Sequence, residues 1–282
     1  WPQYNAVTLA AVNVSNPDKP LKSEVYLMTD NQNMYVSPES MYITYTKYVN
    51  EYQLALEVMR KIVLPRLPVR DQDRIAKIEA VENVILTPDE KMAKIGAIIE
   101  RYGNSLSEEE KDALETEVEL KMKETYTNIA EELEKTVVHK IAINNGGLTY
   151  KTVGEVPGYV LNQFSMDEHE GYFRIATTKR RTWSNFDDAN SESYSNLFVL
   201  DSELKIVGAV RELAPGEQIF SVRFMQDRAY MVTFRQSDPL FVIDVHDPRN
   251  PTVLGKLKIP GFSNYLHPYD DTTLIGVGRD TE

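Results

Sequence analysis

The sequence predicts a mainly β protein with an α-helical insertion, and three observations support this fold class. Short runs rich in Val, Ile, Tyr, Phe and Thr alternate with turn residues over most of the chain. One central stretch has a helical periodicity instead. The β-rich parts contain an internal repeat of about 43 residues, a length typical of one four-stranded propeller blade. We therefore expect a partial β-propeller built of four-stranded antiparallel blades.

The distribution of proline and glycine divides the chain into three segments. Only three of the 14 prolines and two of the 13 glycines lie between residues 50 and 136. These residues disrupt regular helices and favour turns, so their scarcity indicates helices. We predict a first β segment over 1–49, a helical insertion over 50–136 and a second β segment over 137–282.

The central segment carries apolar residues at helical spacing and two helix starts. Thr87-Pro88-Asp89-Glu90 has a hydroxyl N-cap, a proline in the first turn and two acids near the positive helix end. Ser107 and Glu110 form a capping-box pattern that opens a long helix predicted to extend to Leu133. A preceding helix is predicted to present Ile75, Ile78, Val81 and Ile85 on one face.

The β segments are predicted to contain short strands, none of them alternating with helices as a parallel scheme would require. The predicted strands span 7–14, 41–45, 172–177, 197–200, 221–225, 229–234, 240–245 and 273–277.

The repeat sets the number of blades. Phe241 to Pro251 parallels Leu9 to Pro20, and weaker copies contain Asn144 and Asp201. Asp201 and Asp244 lie 43 residues apart, and the longer interval from Asn13 to Asn144 exceeds this by about the length of the insertion. The spacing predicts about three complete blades and two half-blades: an outer half over 7–28 and an inner half over 263–277. We expect these halves to stay unpaired within one chain, in an open arc, and the insertion to divide one blade.

Several segments resemble a known family. They are Gly154 to Gly158, Leu161 to Glu168 and Tyr172 to Thr178, followed by Ala214 to Glu217 and Asp238 to Asp244. They resemble the secreted β-propeller proteins of archaea and some bacteria, a family distantly related to WD-repeat propellers. The resemblance implies an extracellular or cell-surface protein with a propeller longer than this chain. It supplies no catalytic residues.

Composition excludes several classes of protein. The 43 acidic and 31 basic residues give a net charge of −12, so we expect no nucleic-acid binding. The chain has no cysteine, which excludes disulfide and zinc–cysteine frameworks. No apolar run approaches the roughly 18 residues of a membrane helix, so we expect no membrane-spanning segment in this sequence.

One basic cluster is a candidate ligand surface. Lys179, Arg180 and Arg181 are followed by Trp183. Such a group can hold a carboxylate, a phosphate or an anionic glycan through hydrogen bonds and stacking. The alternative is the exposed end of a strand that pairs locally with Asp187 and Asp188.

The acidic clusters and the histidines predict no active site. Asp167 to Glu170 and the group around Asp187 match no metal-binding spacing and are interpreted as solvated loops. No H-E-x-x-H pair and no G-x-S-x-G elbow occur. We therefore predict no catalytic, metal or cofactor-binding residues and no cofactor.

The predicted function is an extracellular, non-enzymatic binding or scaffolding module. Function in propellers resides in the loops and the central channel. The partner is expected to be a protein or a glycan, with self-association through the terminal half-blades. The alternatives are a propeller-type hydrolase or lyase with a site at the channel mouth, and a structural cell-surface component.

Overall fold

The computed structural model describes residues 5–16, 18–129, 131–180, 192–234, 238–259 and 261–279. The chain separates into two compact units. The β-unit comprises the described residues up to Tyr48 and from Glu131 onward, and the helical unit comprises the described residues from Val49 to 129.

The β-unit begins with a half-blade, β1 (Asn5–Ala11) and β2 (Lys22–Met28). The first complete blade consists of β3 (Asn33–Val36), β4 (Ser40–Tyr48), β5 (Glu134–Asn144) and β6 (Gly147–Pro157). The second consists of β7 (Met166–His169), β8 (Tyr172–Lys179), β9 (Tyr194–Leu200) and β10 (Ile206–Leu213). The third consists of β11 (Gln218–Met225), β12 (Arg228–Phe234), β13 (Asp238–Asp244) and β14 (Thr252–Ile259). The last half-blade is β15 (Phe262–Asp270) and β16 (Thr273–Arg279).

The described strands form three four-stranded and two two-stranded antiparallel sheets, and each sheet keeps its strands side by side in chain order. This arrangement confirms the predicted fold class of three complete blades and two half-blades. Among the described strands, β1 pairs only with β2 and β15 only with β16. The two half-blades therefore do not pair with each other in this structure, as expected for an open arc.

The helical unit is inserted between the second and third strands of the first complete blade. β4 pairs with β5 along its whole length, and the last pair joins Tyr48 to Glu134. The insertion therefore divides one blade, as predicted, and its two ends meet on adjacent strands. Within its described residues the helices are α1 (Glu51–Val63), α2 (Val69–Ala80), α3 (Pro88–Gly103) and α4 (Glu108–Asn128).

Three helical details differ from the predictions. The helix α2 ends at Ala80 because Val81 adopts an extended backbone, so Ile85 lies in the following turn and is 70% exposed. The helix α4 ends at Asn128, before Leu133. Strand β5 begins at Glu134, because the chain must be extended there to pair with Tyr48, so residues 134–136 belong to the sheet and not to the insertion.

The helix starts are as predicted. The Thr87 and Ser107 side chains cap α3 and α4 by accepting hydrogen bonds from the backbone N–H groups of Glu90 and Glu110. Each glutamate carboxylate accepts a hydrogen bond from its cap residue in return. These reciprocal bonds satisfy backbone donors that a helix otherwise leaves free at its start.

The cores of the β-unit lie between successive blades. One cluster joins the first two complete blades and includes Tyr42, Phe173 and Phe198, none of them more than 1% exposed. The rings of Tyr42 and Phe173 stack with their centroids 4.0 Å apart. A second cluster joins the second and third blades. Burying each such side chain contributes roughly 1.5–3 kcal/mol, so blade-to-blade packing stabilises sheets that could not persist alone.

The helical unit has a core of its own. Apolar residues from its helices form one buried cluster that includes Val63, Ile75 and Ile95. Their helical spacing places them on the inner faces of the helices, while most charged residues remain outside.

Candidate functional site

The first strand of each complete blade and of the last half-blade lies near the axis of the β-unit. Here β3, β7, β11 and β15 line a cleft of about 420 Å³, which we call the axial cleft. Because successive strands are antiparallel, the turns β3–β4, β7–β8, β11–β12 and β15–β16 all lie at the same end of their blades. The lining residues are Met34, Tyr35, Val36, Gln163, Phe164, Met166, Asp167, Arg223, Phe224 and Pro268.

Glu168 beside this cleft is a buried carboxylate with its side chain only 9% exposed. Three hydroxyl groups and one ammonium group of the preceding blade surround it. Its Oε1 accepts a hydrogen bond from the Tyr42 hydroxyl at 2.7 Å, and the Lys140 ammonium lies 3.5 Å away. The other donors are the Ser37 and Ser40 hydroxyls.

The protonation of Tyr42 suits this arrangement. Burial, together with the hydrogen bond to Glu168, raises the pKa of the Tyr42 phenol well above its ordinary value of 10.0. The phenol therefore stays protonated and remains a hydrogen-bond donor at every ordinary pH.

Asp167 lies on β7 and connects this strand to the third blade through Arg174. The Nε of Arg174 donates to Asp167 Oδ2 at 2.9 Å, and the Nη2 of Arg174 also contacts this oxygen. Arg174 is 3% exposed and donates through Nη1 to the backbone carbonyl of Gln226. The Tyr35 hydroxyl donates to the second Asp167 oxygen at 3.4 Å. Glu168 and Asp167 thus bind β7 to the preceding blade, and Asp167 also holds Arg174, which binds the third blade.

This geometry favours a structural role for the axial charges. A catalytic carboxylate must reach a substrate atom, whereas Glu168 already has four donors around it and Asp167 has Arg174 and Tyr35. At the mouth of the cleft, the Arg223 guanidinium lies over the Phe164 ring at 5.2 Å.

A second cleft opens between the third blade and the last half-blade. It has a volume of about 460 Å³, and we call it the turn cleft. The Tyr269 side chain is 72% exposed at this cleft. The Nε2 of Gln226 donates to Asp271 Oδ1 at 3.3 Å and links the two turns. The lining residues are Met225, Gln226, Asp227, Arg228, Tyr230, Pro268, Tyr269, Asp270, Asp271 and Thr272.

Two histidines approach the turn cleft from outside. The Nδ1 of His246 lies 3.3 Å from one Asp227 oxygen, and the Nε2 of His169 lies 3.8 Å from the other. In the part of the chain that the structure describes, no group of three or more His, Asp or Glu side chains could hold a metal ion.

Of the four residues in the predicted basic surface, the structure describes Lys179 and Arg180, and these two do not share one exposed surface. Lys179 is 2% exposed, unlike the surface residue that was predicted, because the end of β8 is covered. Arg180 lies over the Tyr159 ring at 3.9 Å and pairs with Glu134 at 3.6 Å. Arg181 and Trp183 lie outside the described residues, as do Asp187 and Asp188, so the ligand-surface hypothesis stays a prediction.

Sequence reasoning missed the central position of Asp167 and Glu168. The sequence pattern indicates a solvated turn, whereas both residues lie in β7 and contact the preceding blade, and Asp167 reaches the third blade only through Arg174. The available signal was their place two to three residues before the β7–β8 turn, where the first strand of a blade faces the axis.

The comparison with known proteins agrees with this architecture. The profile of the family described as "Beta propeller domain" matches residues 1–282. The chain belongs to the beta-propeller domain family. Two uncharacterized archaeal proteins are similar to this propeller chain. One, from Methanocaldococcus jannaschii, is 37% identical over 249 residues, which is 88% of this chain and 38% of that protein. The other, from Archaeoglobus fulgidus, is 37% identical over 247 residues, which is 88% of this chain and 37% of that protein.

This propeller chain therefore spans less than two fifths of the length of these relatives. None of the helices in its described residues is both long enough and apolar enough to cross a bilayer.

Proposed function

We propose that this chain is a non-enzymatic binding module that works outside the cell and takes a glycan in the turn cleft. The proposal rests on one difference between the two clefts. The axial carboxylates are engaged in contacts between blades, whereas the turn cleft exposes Tyr269 beside polar side chains.

Glycan chemistry fits the turn cleft. A sugar ring offers an apolar face that stacks on an exposed aromatic ring such as Tyr269. Its hydroxyls bind carboxylates and amides, which Asp227, Asp271 and Gln226 provide around the cleft. The extracellular location is supported by the resemblance of several segments to secreted propeller proteins.

The test is a glycan array followed by calorimetric titration of the best glycan. We expect Tyr269→Ala to weaken binding at least tenfold, since the stacking surface is removed. Tyr150→Ala is the matched control, because Tyr150 is a 40% exposed tyrosine on β6, outside the cleft. It should leave binding unchanged.

Two outcomes would contradict the proposal. If no glycan binds, or if both tyrosine variants lose binding equally, the turn cleft is not the glycan site. If a bound glycan is cleaved with repeated turnover, the protein belongs to the alternative class of propeller hydrolases or lyases.

A further inference from the structure

The turn between β1 and β2 carries the only sequence pattern for asparagine-linked glycosylation in this chain. Asn13-Val14-Ser15 matches the pattern Asn-x-Ser/Thr, in which x is any residue except proline. In the corresponding turn of the third blade, Asn250 is followed by proline and threonine, and the proline excludes it from the pattern. The two copies of this turn therefore provide one candidate asparagine and one natural negative control.

The Asn13 side chain is held by its own turn. Its Oδ1 accepts hydrogen bonds from the backbone N–H groups of Ser15 at 3.0 Å and Asn16 at 2.9 Å. These bonds fix the orientation of the amide group, because only its carbonyl oxygen can accept them. Asn13 is exposed, and its Nδ2 makes no hydrogen bond to any residue that the structure describes. The atom that carries the sugar in an asparagine-linked glycan is therefore accessible.

The same side-chain turn recurs in the second and third blades. The Oδ1 of Asp201 accepts a hydrogen bond from the backbone N–H of Glu203, and the Oδ1 of Asp244 accepts one from that of His246, both at 2.9 Å. Asp201 and Asp244 are the counterparts of Asn13 in the sequence repeat. The turn thus needs only a side-chain oxygen, which aspartate supplies as well as asparagine does. The amide nitrogen of Asn13 is not required for the fold.

The two complete copies of the turn show how accessible this place is when a preceding blade is present. In both, the fourth strand of the preceding blade, β6 or β10, contacts the turn through a glycine. Asp201 and Asp244 are nevertheless only half-buried. The His246 side chain, at the place of Ser15, is 75% exposed. A preceding blade therefore leaves both the asparagine position and the serine position of the pattern within reach of solvent.

We propose that Asn13 is a site of asparagine-linked glycosylation. The donor is a sugar chain that is joined to a membrane lipid through phosphate. The Nδ2 of Asn13 forms a bond to the anomeric carbon of the first sugar, and the bond between this carbon and the phosphate oxygen breaks. The lipid phosphate leaves with the electron pair of the broken bond, and the amide gives one of its two protons to a base of the transferring enzyme. The Ser15 hydroxyl is the second group of the pattern that this enzyme recognises.

This inference rests on the extracellular location in the proposed function, because the pattern is used on the surface loops of secreted proteins. It does not depend on the turn cleft. A glycan on Asn13 is covalent and stays attached when the chain is unfolded, whereas a ligand of the turn cleft is released. Mass spectrometry under denaturing conditions therefore distinguishes the two kinds of glycan.

The test produces the chain with an export signal in an archaeal host and measures the intact protein and its proteolytic peptides by denaturing mass spectrometry. We expect a glycan mass on the peptide that contains Asn13 and none on the peptide that contains Asn250. The same chain made without the export signal should have the unmodified mass, because it does not meet the lipid-linked donor.

Four variants separate modification from folding. Asn13→Asp should abolish the added mass and leave the thermal unfolding of the unglycosylated chain unchanged, because aspartate forms this turn in the second and third blades. Ser15→Ala should also abolish the added mass, although its backbone N–H can still donate to Asn13. Ser15→Thr should keep it, since threonine satisfies the pattern. Asn16→Gln is the matched control, because Asn16 lies in the same turn but outside the pattern, and it should keep the added mass.

The proposal is overturned if the exported chain carries no glycan on Asn13, or if Asn13→Asp keeps the same added mass. Either result leaves the proposed glycan binding by the turn cleft intact, since that binding is measured on the unglycosylated chain. If fractionation of the source organism recovers the chain only from the cytoplasm with Asn13 unmodified, both the glycosylation site and the proposed extracellular location are wrong.

Discussion

The strands of the second blade and those of the last half-blade have similar compositions but opposite environments. In β8 and β9 almost every residue is buried, because blades cover both faces of the sheet. In β16 almost every residue is exposed, although Leu274, Ile275 and Val277 are as apolar as their counterparts. The difference shows that packing against neighbouring blades, and not the apolar character of a strand alone, determines how far its side chains are buried.

The largest effect expected from this comparison concerns Phe198 on β9 and Val277 on β16. Phe198 is fully buried between blades, so Phe198→Ala should lower the free energy of unfolding by about 3–5 kcal/mol. Val277→Ala should change the free energy of unfolding by less than about 0.5 kcal/mol, because the Val277 side chain is largely exposed to solvent. Urea denaturation at low protein concentration measures both, and equal effects would contradict the comparison.

The second prediction concerns charge at covered and uncovered places. Glu168→Gln removes the charge that compensates Lys140 in a buried cluster and should cost about 2–4 kcal/mol of unfolding free energy. Glu155→Gln is the control, because the exposed pairs of Glu155 with Lys47 and Lys135 contribute about 0–1 kcal/mol. If Glu155→Gln lowered the free energy of unfolding as much as Glu168→Gln, burial would not determine how much these ion pairs contribute to stability.

The third prediction separates the two units. Replacing residues 50–130 with a short Gly-Ser linker should leave the β-unit folded, since Tyr48 and Glu134 are adjacent on paired strands and the helical unit has its own core. Far-ultraviolet circular dichroism should lose its helical component and keep its β component. Loss of both would show that the helices complete the β core.

The smallest expected effect concerns exposed hydrogen bonds of the helical unit. Backbone and side-chain bonds from Thr87 lower the pKa of Glu90, and those from Ser107 lower the pKa of Glu110. A carboxyl group whose pKa is lowered by folding stabilises the fold above its ordinary pKa of 4.5, and this contribution is lost as pH falls through the lowered value.

We therefore expect a small loss of helix stability below about pH 4.5, which thermal melts followed at 222 nm would detect. The double variant Glu90→Gln and Glu110→Gln keeps a hydrogen-bonding amide at both places but cannot titrate there. It should show a flatter acid limb than the natural chain, and an identical limb would contradict the prediction.

Features that depend on residues close together in the sequence could be predicted. Strand runs, the blade repeat and the caps at Thr87 and Ser107 all follow from short-range patterns, and the structure has them. The end of α4 was predicted too late, because the pairing of Tyr48 with Glu134 across 86 residues decides where the chain must be extended. The partners of Glu168 were hidden for the same reason. Ser37, Ser40 and Tyr42 lie more than 120 residues earlier in the chain, and only blade packing brings them to its carboxylate.

The insertion between β4 and β5 has a consequence for synthesis of the chain on the ribosome. Translation adds roughly 5–20 residues each second, so β4 waits on the order of ten seconds before its partner β5 emerges. Helices form in microseconds, far faster than this delay. The helical unit can therefore fold when only the first two strands of its blade have been synthesised. Its folding shortens the effective loop between β4 and β5, which lowers the entropic cost of pairing these strands.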